Sequence, residues 1–278
     1  MGLFGALPQT WALTLGRTGG RLARHLAAPR RSMALRHMKR VLGETTEASR
    51  AAAAMFPNYG RYWAEVLWVR PRRLGGVREK TTVEGNEHLA AARAAGRGAI
   101  VALPHVGNWE IAGPIAGDHG FHLLAVAEEL PNRYVTDWFV RLRKTFGIEV
   151  VHPRRGVTRR LESVLKDNGM VALVCDRDLS GRGVEVDFFG EPTTLPAGPL
   201  ALARRTGAAL IPAGLFFAGS DGHCLVLKPA LQLPDPDADD FMAEGMNLLA
   251  ASLEDLIRLH PEQWHLLQPN WPSDRTLP

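Results

Sequence analysis

The chain has 278 residues, of which 46% are hydrophobic and 22% are charged, a composition that fits a globular protein and argues against a disordered or fibrous one. The length allows one large domain or a domain with an appendage. No apolar run approaches the roughly 20 residues that a membrane-spanning helix needs. The two cysteines, Cys175 and Cys224, lie in apolar, strand-like runs and indicate a reducing compartment rather than a disulfide framework.

Positive charge is concentrated near the N-terminus. The chain contains 33 Lys+Arg and 29 Asp+Glu, a net charge of +4. Segments 30–40 (RRSMALRHMKR) and 70–76 (RPRRLGG) are basic and contain no acidic residue. Such clusters suit anionic partners, namely lipid head groups, nucleic acid or a phosphorylated cofactor, although a solvated basic face has the same composition.

Residues 1 to about 75 favour helices, because they are rich in Ala, Leu and Arg and poor in β-branched residues. The first 28 residues mix Leu, Phe and Trp with Arg and lack the basic start of a signal peptide. A helix of this kind can lie on a membrane surface or pack on the protein's own core, and the pattern leaves both open.

From about residue 80, apolar strands alternate with helices. Strands are predicted at 99–105, 122–130, 148–153, 170–176, 209–217 and 223–231. Helices are predicted at 108–120, 132–147, 156–169, 197–207 and 241–260, with a hairpin-like segment at 184–190. This alternation predicts an α/β fold in which a central, mostly parallel sheet is flanked by helices. We therefore divide the chain into an N-terminal helical, membrane-surface region (1–78) and an α/β domain (79–278).

Segment 102–113, ALPHVGNWEIAG, places a histidine at the end of a buried strand. Pro104 ends the strand pairing, Gly107 permits a turn, and Asn108 is a suitable N-cap for the next helix. We therefore expect His105 and Glu110 to meet at the carboxyl end of the strand, where open α/β sheets bind their ligands.

A histidine beside a carboxylate can act as a general base, because the carboxylate fixes the ring tautomer and stabilises the imidazolium. No nucleophilic serine or cysteine lies nearby, so the base would activate a hydroxyl of the substrate itself. The alternative is a structural role: His105 as a satisfied polar residue, and Glu110 in the first turn of a helix.

Two other functions stay open at this point. The same pair would serve a thioesterase or another hydrolase that uses water; a version with Cys175 as nucleophile is weaker because its run looks like inert core. A non-enzymatic module that binds membranes or nucleic acid is the second. Known nucleic-acid motifs are absent, so we expect no nucleic-acid partner. Motifs for metal or nucleotide binding are also absent.

Several blocks of sequence resemble a known family. PHVGNWE, at 104–110, resembles the H-x4-D/E signature of the glycerolipid acyltransferases. Segments 175–214 (CDRDLSGRGVEVDFFGEPTTLPAGPLALARRTGAALIPAG) and 261–271 (PEQWHLLQPNW) are similar to the lipid A late acyltransferases, especially their actinobacterial relatives, the phosphatidylinositol mannoside acyltransferases. The resemblance runs over roughly residues 80 to 272.

This resemblance implies an O-acyltransferase that moves a fatty acyl group to a hydroxyl of an anionic glycolipid. The donor would be acyl-CoA or acyl carrier protein, a substrate rather than a resident cofactor. The protein would lie peripherally on the cytoplasmic face of the plasma membrane. His105 would be the base and Glu110 its acidic partner, where many members have Asp.

Other candidate residues follow from their positions. Glu128, after the second strand, is expected at the same sheet edge. Glu185 is either a second acidic partner of His105 or an outward-facing strand residue. Asp176 and Arg177 follow a strand and form either a buried ion pair or part of an acceptor site.

Arg143 lies in the helix predicted at 132–147. It could contact the phosphates of the donor or the acyl carbonyl, or it could lie on a solvated helix face. Arg141 and Lys144 compete with it for the same role.

Overall fold

The computed structural model describes residues 2–275. Its described part contains eleven α-helices and nine strands. The helices are α1 Gly2–Ala6, α2 Gln9–Leu26, α3 Ala28–Leu42, α4 Thr46–Trp68, α5 Leu74–Glu79, α6 Asn86–Ala95, α7 Gly113–Asp118, α8 Arg133–Thr145, α9 Val157–Lys166, α10 Gly198–Thr206 and α11 Phe241–Leu259. The strands are β1 Thr81–Glu84, β2 Ala99–Leu103, β3 Leu123–Val126, β4 Ile148–Val151, β5 Met170–Val174, β6 Val184–Phe188, β7 Glu191–Leu195, β8 Ala209–Ala218 and β9 Gly222–Leu227.

Seven strands form one sheet in the order β1-β9-β8-β2-β5-β3-β4. All neighbouring pairs are parallel except β8 and β9, which form an antiparallel hairpin. Strands β6 and β7 form a separate antiparallel pair, at the segment predicted to be hairpin-like. The predicted α/β fold with a mostly parallel central sheet is therefore confirmed.

Helices cover both faces of the sheet. Along β2, Ile100 and Ala102 belong to one apolar cluster, which also contains residues of α9, α10 and α11. Val101 and Leu103 point to the other face and belong to a second cluster with residues of α6, α7 and α8. Because successive strand residues alternate between faces, a strand that is apolar throughout is buried on both sides.

The N-terminal helices pack closely on one another and on the sheet. Helices α2 and α4 approach so closely that a Cβ on Gly20 would lie 2.1 Å from the carbonyl oxygen of Phe56. Tyr62 and Val66, on α4, belong to the cluster on one sheet face. Among residues 2–275, no helix combines the length and the hydropathy that a membrane span requires. The division of the chain at residues 78 and 79 stays a prediction.

The structure corrects several predicted elements. Strand β1 and helix α6 were not predicted. The helix predicted at 108–120 is a 3-10 turn, Trp109–Ala112, followed by the short helix α7. Asn108 makes no side-chain cap there; its amide Nδ2 donates to Glu65.

Candidate active site

His105 and Asp176 form the central contact of the site. Oδ1 of Asp176 lies 2.6 Å from Nδ1 of His105, and Oδ2 accepts the backbone N–H of His105 at 2.9 Å. The His105 side chain is 34% exposed, whereas that of Asp176 is fully buried. A partly open imidazole is thus held from behind by a buried carboxylate.

The ionisation of Asp176 determines the tautomer of His105. Burial raises the pKa of the Asp176 carboxyl, but the charge and hydrogen bonds of His105, with a bond from Trp264, outweigh it and hold this pKa below its ordinary value. An ionised carboxylate only accepts hydrogen bonds, so Nδ1 of His105 bears the proton. Nε2, which has no partner among residues 2–275, is then free to accept a proton from a substrate.

The loop after β2 gives His105 this position. β2 ends at Leu103, and Gly107 has a φ of +55°, a left-handed conformation that favours glycine. A Cβ on Gly107 would lie 2.0 Å from the carbonyl oxygen of Leu215, so a side chain would also collide with β8. The Trp109 ring meets the His105 ring edge-on, with centroids 5.2 Å apart.

Glu110 does not hydrogen-bond His105, which corrects the expected pairing. Its carboxylate is buried and binds Arg143 of α8 through both oxygens, with Nε at 2.7 Å and Nη2 at 2.6 Å. The hydroxyl of Tyr62 donates to the same carboxylate at 3.3 Å. Glu110 therefore joins the His105 loop to α8 and α4, and Asp176 takes the place beside the imidazole.

A second buried carboxylate supports the same loop from α4. Oε2 of Glu65 accepts hydrogen bonds from Asn108 at 2.8 Å and from His223 at 2.9 Å, while Oε1 accepts from Arg61 at 2.8 Å. Burial raises the pKa of Glu65, but the charge and hydrogen bond of His223, the charge of Arg61 and the hydrogen bond of Asn108 outweigh burial and hold this pKa below its ordinary value. The cluster ties the N-terminal helices to the residue midway between His105 and Glu110.

An apolar pocket opens beside the site, with a cavity volume of about 90 Å³. Trp109, Glu110 and Arg143 contribute to its wall. The rest of the lining is almost entirely aliphatic and comes from α6, α7 and strands β2, β3, β4, β5 and β9. A pocket of this shape and chemistry suits an alkyl chain, with the polar groups near one end.

The remaining candidates lie as follows. Glu185 is exposed on β6 and Glu128 is exposed after β3; within residues 2–275 neither side chain makes a hydrogen bond or an ion pair. The expectation that Glu185 is a second acidic partner of His105 is thus corrected. Arg177 is half-buried and has no ion-pair partner in the described chain, so Asp176 and Arg177 do not form the ion pair that was one alternative. Arg141 and Lys144 are exposed on α8.

Two alternative chemistries lack support in the structure. Cys175 is buried, and burial raises the pKa of its thiol, so this cysteine is an inert core residue rather than a nucleophile. Within residues 2–275, no three His, Cys, Asp or Glu side chains cluster in a way that could hold a metal ion.

Sequence reasoning missed Glu65, Tyr62 and Trp264 as parts of the site. Glu65 and Tyr62 lie in an Ala-rich helix, where a polar residue usually faces solvent. Trp264 belongs to the segment PEQWHLLQPNW, and its fully buried indole donates to Asp176 at 2.7 Å. The sequence did contain one signal for Trp264: a tryptophan and a histidine are adjacent in a polar segment.

Comparison with known proteins identifies the family. The model of the bacterial lipid A biosynthesis acyltransferases matches residues 1–273. A phosphatidylinositol mannoside acyltransferase of Mycobacterium tuberculosis is 39% identical over 249 residues, which cover 86% of this chain and 76% of the relative. The enzyme of the same name from Mycolicibacterium smegmatis is 36% identical over 278 residues, 97% of this chain and 88% of the relative.

A more distant relative is named for lipid A and not for phosphatidylinositol mannosides. The lipid A biosynthesis acyltransferase of Haemophilus influenzae is 27% identical over 192 residues, 68% of this chain and 58% of the relative. All these relatives are named acyltransferases, which supports O-acyl transfer as the reaction class. The chain belongs to the bacterial lipid A biosynthesis acyltransferase family.

Proposed function

We propose that this acyltransferase moves a fatty acyl group from a thioester donor, acyl-CoA or acyl carrier protein, to a hydroxyl of a phosphatidylinositol mannoside. The observation that carries the proposal is the His105–Asp176 pair beside an apolar pocket. The names of the mycobacterial relatives support the choice of acceptor.

The chemical step is a direct transfer. Nε2 of His105 takes the proton of the acceptor hydroxyl as its oxygen attacks the thioester carbonyl, and a new C–O bond forms. Asp176 stabilises the imidazolium that results. The tetrahedral intermediate then collapses, the C–S bond breaks, and the thiolate takes the proton back from Nε2. No covalent enzyme intermediate is needed.

The apolar pocket is the proposed site of the acyl chain. Trp109 both lines the pocket and contacts the His105 ring, so a chain in the pocket has its carboxyl end near the base. In this proposal Glu110 and Arg143 act together, because their ion pair fixes the pocket wall and the loop that carries His105. Arg177, half-buried and without an ion-pair partner in the described chain, is the proposed contact for an anionic substrate group.

Helix α2 is the proposed membrane contact. Trp11, Leu15, Leu22 and Leu26 are exposed, and at 100° per residue they lie within about 60° of each other around the helix. Arg21, which lies about 80° around the helix from the nearest residue of this stripe, is also exposed. An exposed apolar stripe with a basic residue to one side suits a helix that lies in the surface of an anionic membrane. We propose a peripheral location on the cytoplasmic face of the plasma membrane.

The test uses purified full-length protein, radiolabelled palmitoyl-CoA and vesicles with or without phosphatidylinositol mannoside. We expect labelled acceptor, and CoA release that depends on the acceptor. Parallel reactions with palmitoyl carrier protein and with a lipid A precursor identify the preferred donor and acceptor. CoA release at the same rate without any lipid acceptor would overturn the proposal and assign a thioesterase.

A further inference from the structure

A short C-terminal segment, 263–265, lies along the loop that carries His105. The backbone N–H of His265 donates to the carbonyl oxygen of His105 at 2.8 Å, and that of Gly107 donates to the carbonyl oxygen of Gln263 at 3.0 Å. The ring Nε2 of His265 donates to the carbonyl oxygen of Gly107 at 3.0 Å. The loop is therefore paired along its length with a segment more than 150 residues away in the sequence.

Trp264, in the centre of this segment, contacts Asp176, the acidic member of the His105–Asp176 dyad. Its side chain is fully buried, and its indole N–H donates to Oδ2 of Asp176 at 2.7 Å. The backbone N–H of His105 donates to the same oxygen at 2.9 Å, whereas Oδ1 binds the His105 ring. The indole is thus the one donor to this carboxylate, among residues 2–275, that does not belong to His105.

The indole donor controls two properties of the carboxylate. It holds Oδ2, so that Oδ1 stays directed at Nδ1 of His105. It also compensates the burial of a charge that has no cation other than the imidazolium beside it, because a hydrogen bond to a charged group is worth more than a neutral one. Packing against aromatic neighbours such as Phe189 uses the ring and does not need the N–H.

We propose that Trp264 is a positioning residue for acyl transfer: through its indole N–H it orients Asp176, and through Asp176 it sets the His105 ring. The inference rests on the proposed function of His105 as the base. It assigns a role to the segment PEQWHLLQPNW that the chemical step itself leaves unexplained.

Trp264→Phe tests this role, because it keeps an aromatic ring and removes the N–H. Trp271→Phe is the matched control. Trp271 is also fully buried, and its indole donates to the backbone carbonyls of Phe188 and Glu191 rather than to Asp176. Each variant loses the hydrogen bonds of one buried indole. Because the acceptor of Trp264 is a charged carboxylate, we expect Trp264→Phe to lower the melting temperature at least as much as Trp271→Phe, with both proteins folded at the assay temperature.

The kinetic readout separates the two variants. For Trp264→Phe we expect kcat to fall about 10- to 100-fold with KM unchanged, the loss of one hydrogen bond to a charged group. The acid limb of the pH profile should move to higher pH, because a carboxylate with one donor fewer holds the protonated ring more strongly. Burial lowers the pKa of His265, which also faces His105, to about 3, so His265 stays neutral throughout the pH range in which acyl transfer is measured. Trp271→Phe should keep the wild-type kcat and profile.

A second measurement follows the indole of Trp264 directly. In the wild-type protein with 15N-labelled tryptophan, the indole N–H signal that Trp264→Phe removes should shift with pH, and His105→Ala should abolish that shift. Trp109, whose ring contacts His105, gives a separate signal that Trp264→Phe retains. If the Trp264 signal does not follow pH, or if Trp264→Phe matches Trp271→Phe in kcat and pH profile, the inference is overturned. Wild-type protein without acyl transfer, or His105→Ala with full activity, would instead overturn the proposed function.

Discussion

His105 and Asp176 occupy equivalent positions at the ends of two neighbouring parallel strands. Leu103 of β2 pairs with Val174 of β5, and each member of the dyad follows two residues later. The register of the sheet therefore brings the imidazole and the carboxylate together across 71 residues of sequence, with Nδ1 and Oδ1 2.6 Å apart. A shift of this register would separate the base from its acid.

The ion pair between Glu110 and Arg143 leads to a first prediction. We expect Glu110→Gln to lower the free energy of unfolding by roughly 2–4 kcal/mol, because it leaves a mostly buried guanidinium without its charge partner. Arg143→Met should have a similar effect. In the double variant the loss should be clearly smaller than the sum, as chemical denaturation would measure. Strictly additive losses would show that the two side chains act independently.

Two buried histidines make the stability dependent on pH. Burial lowers the pKa of His37 to about 4 and that of His265 to about 3, whereas each has its ordinary value near 6.5 in the unfolded chain. As the pH falls from 6.5 towards 5, the unfolded chain binds protons that the folded chain excludes. The free energy of unfolding should therefore fall, by up to about 1.4 kcal/mol per pH unit for each histidine.

Denaturation with urea at several pH values between 5 and 7 measures this slope. His37→Asn should reduce the slope by the contribution of one histidine, up to about 1.4 kcal/mol per pH unit. The control is His25→Asn, which removes an exposed histidine of α2 and should leave the slope unchanged. Equal slopes in the two variants would contradict the account of His37. Carboxylates such as Glu65, whose pKa is lowered in the folded state, add a further loss only below about pH 4.5.

The apolar pocket determines which acyl chains react in the proposed mechanism. Ala172, on β5, lines the pocket, and Ala172→Leu fills part of it. We expect the ratio of long-chain to short-chain transfer to fall about tenfold or more, because each lost methylene contact is worth roughly 1–3 kcal/mol in such pockets. Competition between acyl-CoA donors of different length measures this ratio. The control is Ala90→Leu, on the exposed side of α6, which should keep the wild-type preference. An unchanged ratio in Ala172→Leu would show that the acyl chain does not bind in this pocket.

The stripe on α2 determines membrane binding in our proposal. Trp11 is 66% exposed and Leu26 is 89% exposed, so replacing both with Gln costs little folding free energy. Partitioning onto vesicles that contain phosphatidylinositol should fall about tenfold or more, because each apolar side chain contributes roughly 1.5–3 kcal/mol when buried. The matched control replaces the exposed Leu248 and Leu259 of α11 with Gln. Equal losses in both variants would exclude α2 as the specific contact.

The fold follows from the alternation of apolar strands and helices, because that pattern is local. The acid partner of His105 could not be assigned in the same way. Glu110 is near in sequence, whereas Asp176 becomes the partner through the pairing of β2 with β5. Asp176 was recognisable as a residue after a strand, but nothing local indicates which strands are neighbours.

Asn108 and Glu65 show the same limit. Asn108 has the sequence context of a helix N-cap, yet its amide binds the buried carboxylate of Glu65, 43 residues away. Glu65 itself lies in a long helix, where an acidic residue normally faces water. Its contacts with Arg61 and His223 explain its burial. The pair with Arg61, four residues earlier on α4, is local, but the contact with His223 exists only once α4 packs against the β8–β9 hairpin.

The central claim is that His105, oriented by Asp176, removes the proton of the acceptor hydroxyl. The most direct test is the kcat of acyl transfer from palmitoyl-CoA to phosphatidylinositol mannoside for purified wild type, His105→Ala and Asp176→Asn, with folding verified by thermal unfolding. We predict a loss of about 10²–10⁴-fold for each variant. A folded His105→Ala protein that transfers acyl groups at the wild-type rate would contradict the claim.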